Sequence, residues 1–158
     1  DRIMEIVETK YSEIETLKSW FPDKESSYFW GGPGLRFPFS HISFLEDIHW
    51  EKMPSYSMHD EAGEFVGFGQ YYEKVGRCHL ARLVISPKIR GKGHGQWFIS
   101  QLIKVGTKHL NSRESSLFVV NYNQKALRCY EMLGFKKQDY PPEHKYFVDI
   151  DYMVSSGA

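Results

Sequence analysis

Residues 84–96, Val-Ile-Ser-Pro-Lys-Ile-Arg-Gly-Lys-Gly-His-Gly-Gln, place glycines at alternate positions (Gly91, Gly93, Gly95) between two apolar segments. Glycine weakens the interiors of both helices and strands, so what lies before this bend and what lies after it must be separate elements. Ahead of it, Arg77 to Ser86 reads as a strand. Behind it, Ile99, Leu102, Ile103, Gly106 and Leu110 recur at helical spacing. A strand that feeds a helix through a glycine-rich bend brings free N–H groups and the positive end of a helix dipole to one point. Lys88, Arg90 and Lys92 add charge there. The bend is a tight turn, a close backbone approach or a cradle for an anion.

Any such anion must be held locally. Acids and bases balance over the 158 residues, with a formal net charge of zero, so no global field draws nucleic acid or an anionic membrane. No apolar run reaches the length of a membrane span, and no signal peptide is visible. Cys78 and Cys129 stand far apart without a CxxC partner. That pattern suits a reducing, cytoplasmic setting with neither a disulfide framework nor a metal site. The length fits one domain over residues 1–158, with residues 1–3 and 155–158 expected to be frayed or added ends.

The rest of the chain divides cleanly. Ile3 to Glu8 predicts a strand, and Tyr11 to Trp20 a helix ended by Pro22. A second helix, capped by Asp23, runs to about Trp30. Trp30-Gly31-Gly32-Pro33-Gly34 breaks the pattern, and Ser40 caps a helical turn carrying Ile42, Leu45 and Ile48. From Ser55 the period changes to two: Ser55 to Asp60 and Phe65 to Glu73 form a hairpin, and Arg77 to Ser86 a third strand. Leu117 to Val120 reads as a strand buried on both faces. Gln124 to Leu133 is a helix stopped by Gly134, and Phe135 to Gln138 and Tyr146 to Met153 close the chain as strands. The expected fold is α+β: a single mixed, mostly antiparallel sheet flanked by helices on both faces.

Three phosphate loops compete for the bend. A dinucleotide fingerprint needs G-x-G-x-x-G, but Gln96 stands where the third glycine belongs. A nucleotide-triphosphate loop needs G-x-x-x-x-G-K-[ST], but Lys92 is followed by Gly93. R/Q-x-x-G-x-G/A is matched at every fixed position by Arg90-Gly91-Lys92-Gly93-His94-Gly95. In that form the segment resembles the acyl-CoA-binding motif of the GNAT N-acetyltransferase superfamily. Leu83-Val84-Ile85-Ser86-Pro87 is similar to the family's L-x-V-x-P strand end. Asn123, Ala126, Tyr130 and Gly134-Phe135 are similar to its N-x-x-A-x-x-x-Y-x-x-x-G-F segment.

The resemblance implies acetyl transfer from acetyl-CoA, as co-substrate, to a primary amine on a small molecule or a peptide, by direct attack through a tetrahedral intermediate. It implies a monomer or homodimer with the family's acyltransferase fold. The pyrophosphate would lie on the backbone from Gly91 to Gln96 beside Arg90, Lys92 and His94. Leu83, Val84 and Ile85 would carry the pantetheine arm, so the sheet should splay beyond Ile85. Asn123 and Ala126 would form the opposite wall, and Tyr130 would protonate the departing sulfur.

For the proton on the amine, the strand His79-Leu80-Ala81-Arg82-Leu83 resembles that of arylalkylamine acetyltransferases, with Ala81 in place of their second histidine. His79 is the first candidate base; Glu73 and Asp60 are others, and ordered water without a protein base is another. The acceptor is expected among the aromatic residues of the first half, with Phe29, Trp30 and Tyr71 as contacts, in a pocket suited to an apolar or cationic amine. Two other readings are a non-catalytic acyl-CoA sensor on the same fold and a nucleotide-binding protein using the bend.

Overall fold

In the computed structural model, which describes residues 3–156, seven strands form one sheet in the order β1-β2-β3-β4-β5-β7-β6. They are β1 (Glu5–Glu8), β2 (Ser55–His59), β3 (Phe65–Lys74), β4 (Arg77–Ile85), β5 (Ser115–Val120), β6 (Lys136–Gln138) and β7 (Ile150–Ser155). All neighbours pair antiparallel except β4 and β5. Helices α1 (Ile14–Ser19), α2 (Lys24–Gly31) and α3 (His41–Asp47) cover one face; α4 (His94–Leu110) and α5 (Gln124–Met132) cover the other. The expected mixed, mostly antiparallel α+β sheet with helices on both faces is present.

The short helices start where side chains can satisfy their free amides. The Asp23 carboxylate accepts from the Ser26 amide at 2.8 Å, and the Ser40 hydroxyl from the Ser43 amide at 3.0 Å. Each helical face then buries its apolar residues: Leu17 and Phe44 share one core cluster with Phe68 of the sheet, and Phe98 and Leu102 share the other with Leu80. All six are buried, and each contributes about 2 kcal/mol from leaving water. Helix α4 comes close to the sheet because small residues stand in its way. A Cβ at Gly69 would lie 2.8 Å from Leu102 Cδ2, and one at Gly106 would lie 2.5 Å from Cys78 Sγ.

The parallel pair at the middle of the sheet is short. β4 and β5 are joined only at Cys78 with Ser115 and at His79 with Ser116. The split was expected beyond Ile85, yet it opens directly after His79. Its cause lies in β4, where Arg82 and Leu83 together face Gly69 and the register with β3 shifts between Phe68 and Gln70. Arg82 takes a positive φ of 51°. A bulge of this kind bends a strand and increases its twist, which turns β4 away from β5.

Two other expectations need correction. The last strand begins at Ile150, not Tyr146, because the Tyr140 hydroxyl gathers the loop. It lies 3.0 Å from the Phe147 carbonyl and 2.6 Å from that of Ile150. Ser155, expected to fray, is the buried last residue of β7, opposite Ser115. Residues 1, 2, 157 and 158, also expected to fray, lie outside the described residues.

Candidate active site

The divergence of β4 and β5 leaves a cleft on each side of Trp30. The first, of about 490 Å³, has Leu83, Val84 and Ile85 along one wall and Asn123, Ala126 and Tyr130 of α5 along the other. Arg90, Gly91, Gly93, His94 and Gly95 close its end. Motifs some thirty residues apart in the chain thus meet around one space. Lys92 and Gln96 are not among the lining residues, and the Gln96 amide turns to the Met132 sulfur at 3.3 Å. Lys125 and Cys129 line this cleft too, a placement that only the helical spacing from Asn123 could have suggested.

The three glycines of the bend do different work. Gly91 and Gly93 have φ of 84° and 82°, and Gly93 is the N-cap of α4. A side chain at either would be strained, and a Cβ at either would meet no protein atom within 4 Å. The backbone there borders open space of the kind an anion requires. Gly95 is helical, and a Cβ there would make an ordinary 3.5 Å contact with Ile85 Cγ1. Arg90 folds back so that its Nε donates to the Ile85 carbonyl at 3.1 Å.

On the opposite wall, the Asn123 side chain caps α5 by accepting from the Ala126 amide at 3.4 Å. Tyr130 projects from the same helix into the cleft. Burial pushes its phenol pKa well above the ordinary tyrosine value, so the hydroxyl keeps its proton throughout the neutral range.

The second cleft is larger, about 970 Å³, and lies beyond the bulge. β4 changes sides at that point: His79, Leu80, Ala81 and Arg82 line this cleft, whereas Leu83 to Ile85 line the first. Gly31 to Gly34 form one rim, and Tyr140, His144, Lys145 and Phe147 another. Phe29 and Trp30 border both clefts. Trp30 is only 9% exposed and is stacked on Phe21 at 4.0 Å and on Phe44 at 5.7 Å between ring centres. Its indole Nε1 is buried with no hydrogen-bond partner among the described residues.

Tyr71 does not join Phe29 and Trp30. It is 1% exposed, and its hydroxyl pairs with His109 Nδ1 at 2.8 Å under α4, on the other face of the sheet. Because neighbouring strand residues point to opposite faces, Tyr72 lines the cleft instead. Neither alternative carboxylate reaches the site. Glu73 accepts from the Gly76 amide, and Asp60 from the amides of Ala62 and Glu64, each within its own turn.

His79 lines the second cleft but is 3% exposed. Its Nδ1 lies 2.8 Å from the Ser116 hydroxyl, and its ring packs against Tyr72 and Phe118. Burial, helped by the neighbouring Lys74, His144 and Arg82, lowers its pKa to about 3. It is a neutral imidazole at ordinary pH and a poor proton acceptor. The environment therefore weakens the expectation that His79 is the base. In the same cleft, the Arg82 Nε donates to the Gln70 Oε1, and an Arg82 guanidinium nitrogen lies 3.2 Å from the Met53 sulfur.

Known proteins share both the sequence pattern and the architecture. Residues 14–135 match the model of the acetyltransferase (GNAT) family. The chain is 23% identical over 149 residues to the acetyltransferase PseH of Campylobacter jejuni, covering 94% of this chain and 91% of that protein. Among solved structures, spermidine N-acetyltransferase from Vibrio cholerae in complex with CoA and spermine superposes with a TM-score of 0.73. The identity is 18%, covering 96% of this chain and 94% of that one. A chimera of the Vibrio cholerae enzyme SpeG with hSSAT gives the same TM-score at 15% identity, with the same coverage. At such identities the structural likeness speaks for the fold, while the family match covers most of the chain. No described helix is long and apolar enough to cross a membrane. The chain belongs to the GNAT acetyltransferase family.

Proposed function

We propose that this protein transfers an acetyl group from acetyl-CoA to a primary amine, with the donor in the smaller cleft and the acceptor in the larger. The observation that carries this reading is the convergence of the glycine bend, the unpaired stretch of β4 and Tyr130 on one cleft. The amides around Gly91 and Gly93 hold the pyrophosphate, where the absence of Cβ atoms lets it approach. Leu83 to Ile85 are free of β5, so their outward backbone groups bond the pantetheine amides like a neighbouring strand. Asn123 closes on the arm from α5.

Acetyl-CoA supplies an activated thioester. The amine nitrogen forms a bond to the acyl carbon and the carbon–sulfur bond breaks. Tyr130, kept protonated by its burial, gives its hydroxyl proton to the departing sulfur, and the proton lost by the amine restores it through solvent. An amide near Ile85 donates to the carbonyl oxygen as it gains charge. With His79 neutral and only weakly basic, the amine is deprotonated by water or arrives uncharged. The two clefts meet at Phe29 and Trp30, so attack takes place beside that pair.

Calorimetry with acetyl-CoA, ATP and NAD, followed by an acceptor screen with mass detection, tests this function. Acetyl-CoA should bind, and one class of amine should gain an acetyl group. Binding of ATP or NAD without CoA overturns the donor assignment. Acetyl-CoA binding with no acceptor modified favours a sensor on the same fold.

A further inference from the structure

The larger cleft is lined by Lys52, Arg82 and Lys145, with the imidazoles of His49, His79 and His144, and by no aspartate or glutamate among the described residues. Carboxylates neighbour these residues in the sequence, but none reaches the lining. Asp47 is held by Arg36 at 3.0 Å, and Asp149 stands behind Tyr28 and accepts its hydroxyl at 2.6 Å. Glu51 and Glu143 also lie outside it. A cationic cleft walled by Tyr28, Phe29, Tyr72 and Phe118 is a poor receptor for a polyamine, whose every nitrogen brings further positive charge.

Arg82 is the centre of this arrangement, and the fold takes trouble to hold it. Gln70, which is 0% exposed, donates through its amide to the Ile48 carbonyl at 2.8 Å and to the Ser55 hydroxyl at 2.9 Å. Those bonds fix the amide orientation, so its oxygen is presented to Arg82 Nε. Gln70 and Met53 are both uncharged partners, and no carboxylate lies within ion-pair distance of Arg82 among the described residues. A partly desolvated guanidinium is normally matched by an anion. Burial lowers its pKa to about 10, against the opposing pull of Tyr72 and Asp47, which still leaves it charged at neutral pH.

We infer that the acceptor carries an oxyanion, a carboxylate or a phosphoryl group, in addition to its amine, and that Arg82 receives it with Lys52 and Lys145 at the rims. This inference rests on the assignment of the larger cleft to the acceptor. Arg82 is the last lining residue of β4 before the strand passes to the donor cleft, so the anion anchors the acceptor close to the reacting amine. The aromatic walls stack on whatever planar or apolar body joins the two groups.

The test uses CoA-saturated protein, so that the glycine cradle is already filled, and titrates phenyl phosphate, 3-phenylpropionate, 3-phenylpropanol and spermidine at constant ionic strength. At least one anion should bind roughly 10- to 100-fold more tightly than the alcohol, the range expected of a charge-assisted pair. Arg82→Gln should remove that advantage and Arg82→Lys should keep part of it, with thermal melts confirming that both variants fold. A preference for phenyl phosphate marks a phosphoryl acceptor, and one for phenylpropionate a carboxylate acceptor. Binding of neither anion above the alcohol, tighter binding of spermidine, or an anion affinity untouched by Arg82→Gln overturns the inference. Because the wild-type comparison needs no variant, a misfolded Arg82→Gln leaves it decidable. The preceding CoA titration reports separately on the donor assignment, which fails if CoA does not bind.

Discussion

His79 and Ser116 face each other across the last rung that joins β4 to β5, with Nδ1 2.8 Å from the hydroxyl oxygen. Beyond this pair the strands part, so the contact stands at the apex from which both clefts open. A buried, neutral imidazole here makes stability depend on pH in a definite direction. Its folded pKa of about 3 lies below the ordinary histidine value, so between those values the unfolded chain binds the extra proton. The contribution is complete above roughly pH 6.5 and is lost as the pH falls, at up to about 1.4 kcal/mol per pH unit. Denaturant titrations near pH 7 and near pH 5 should show a larger acid loss for the wild type than for His79→Gln. The acid limb of kcat/KM should survive in that variant. Its disappearance would identify His79 as the base after all.

Tyr130 is expected to act on the leaving sulfur rather than to hold the donor. Tyr130→Phe should lower kcat by roughly 100-fold, the lower end of what a positioned acid contributes, with acetyl-CoA affinity nearly unchanged. Stopped-flow turnover beside calorimetry separates the two effects. Unchanged turnover removes Tyr130 from the reaction.

Gly93 and Gly95 form a contrast within one loop. Gly93→Val introduces a side chain at a φ of 82°, costing about 1–2 kcal/mol of backbone strain, and fills the open space proposed for the pyrophosphate. CoA affinity should fall by more than about 10-fold. Gly95→Ala meets only Ile85, at an ordinary distance, and should leave both stability and CoA binding close to the wild type. Equal effects at the two positions would mean that the phosphate lies elsewhere.

Gly106 tests the packing of α4. The position lines neither cleft, and its Cβ would lie 2.5 Å from Cys78 Sγ and 3.1 Å from Tyr71 Cγ, both buried side chains. Gly106→Ala should lose about 1–3 kcal/mol by overpacking, measured as a lower denaturant midpoint. The acetyl-CoA KM of the folded fraction should not move.

Local signals made most of this fold legible. Asp23 and Ser40 announced their helices because a capping side chain must precede the turn that it caps. The smaller cleft was legible because its glycines and Tyr130 sit in compact motifs. The larger cleft was not. Its cations come from Lys52, Arg82 and Lys145, which the fold alone brings together. Strand alternation could separate Tyr71 from Tyr72 but could not say which face of the sheet held the site. The bulge was hidden for another reason: Arg82 adopts a positive φ without being glycine, so no residue type marks it.

The extra residue at that bulge gives one strand two independent tenants. Substitutions from His79 to Arg82, or in the loop from Tyr140 to Phe147, reshape the larger cleft and leave the lining of the smaller one untouched. With donor and acceptor placed as proposed, a lineage built on this backbone exchanges acceptors by point changes while inheriting its donor machinery whole.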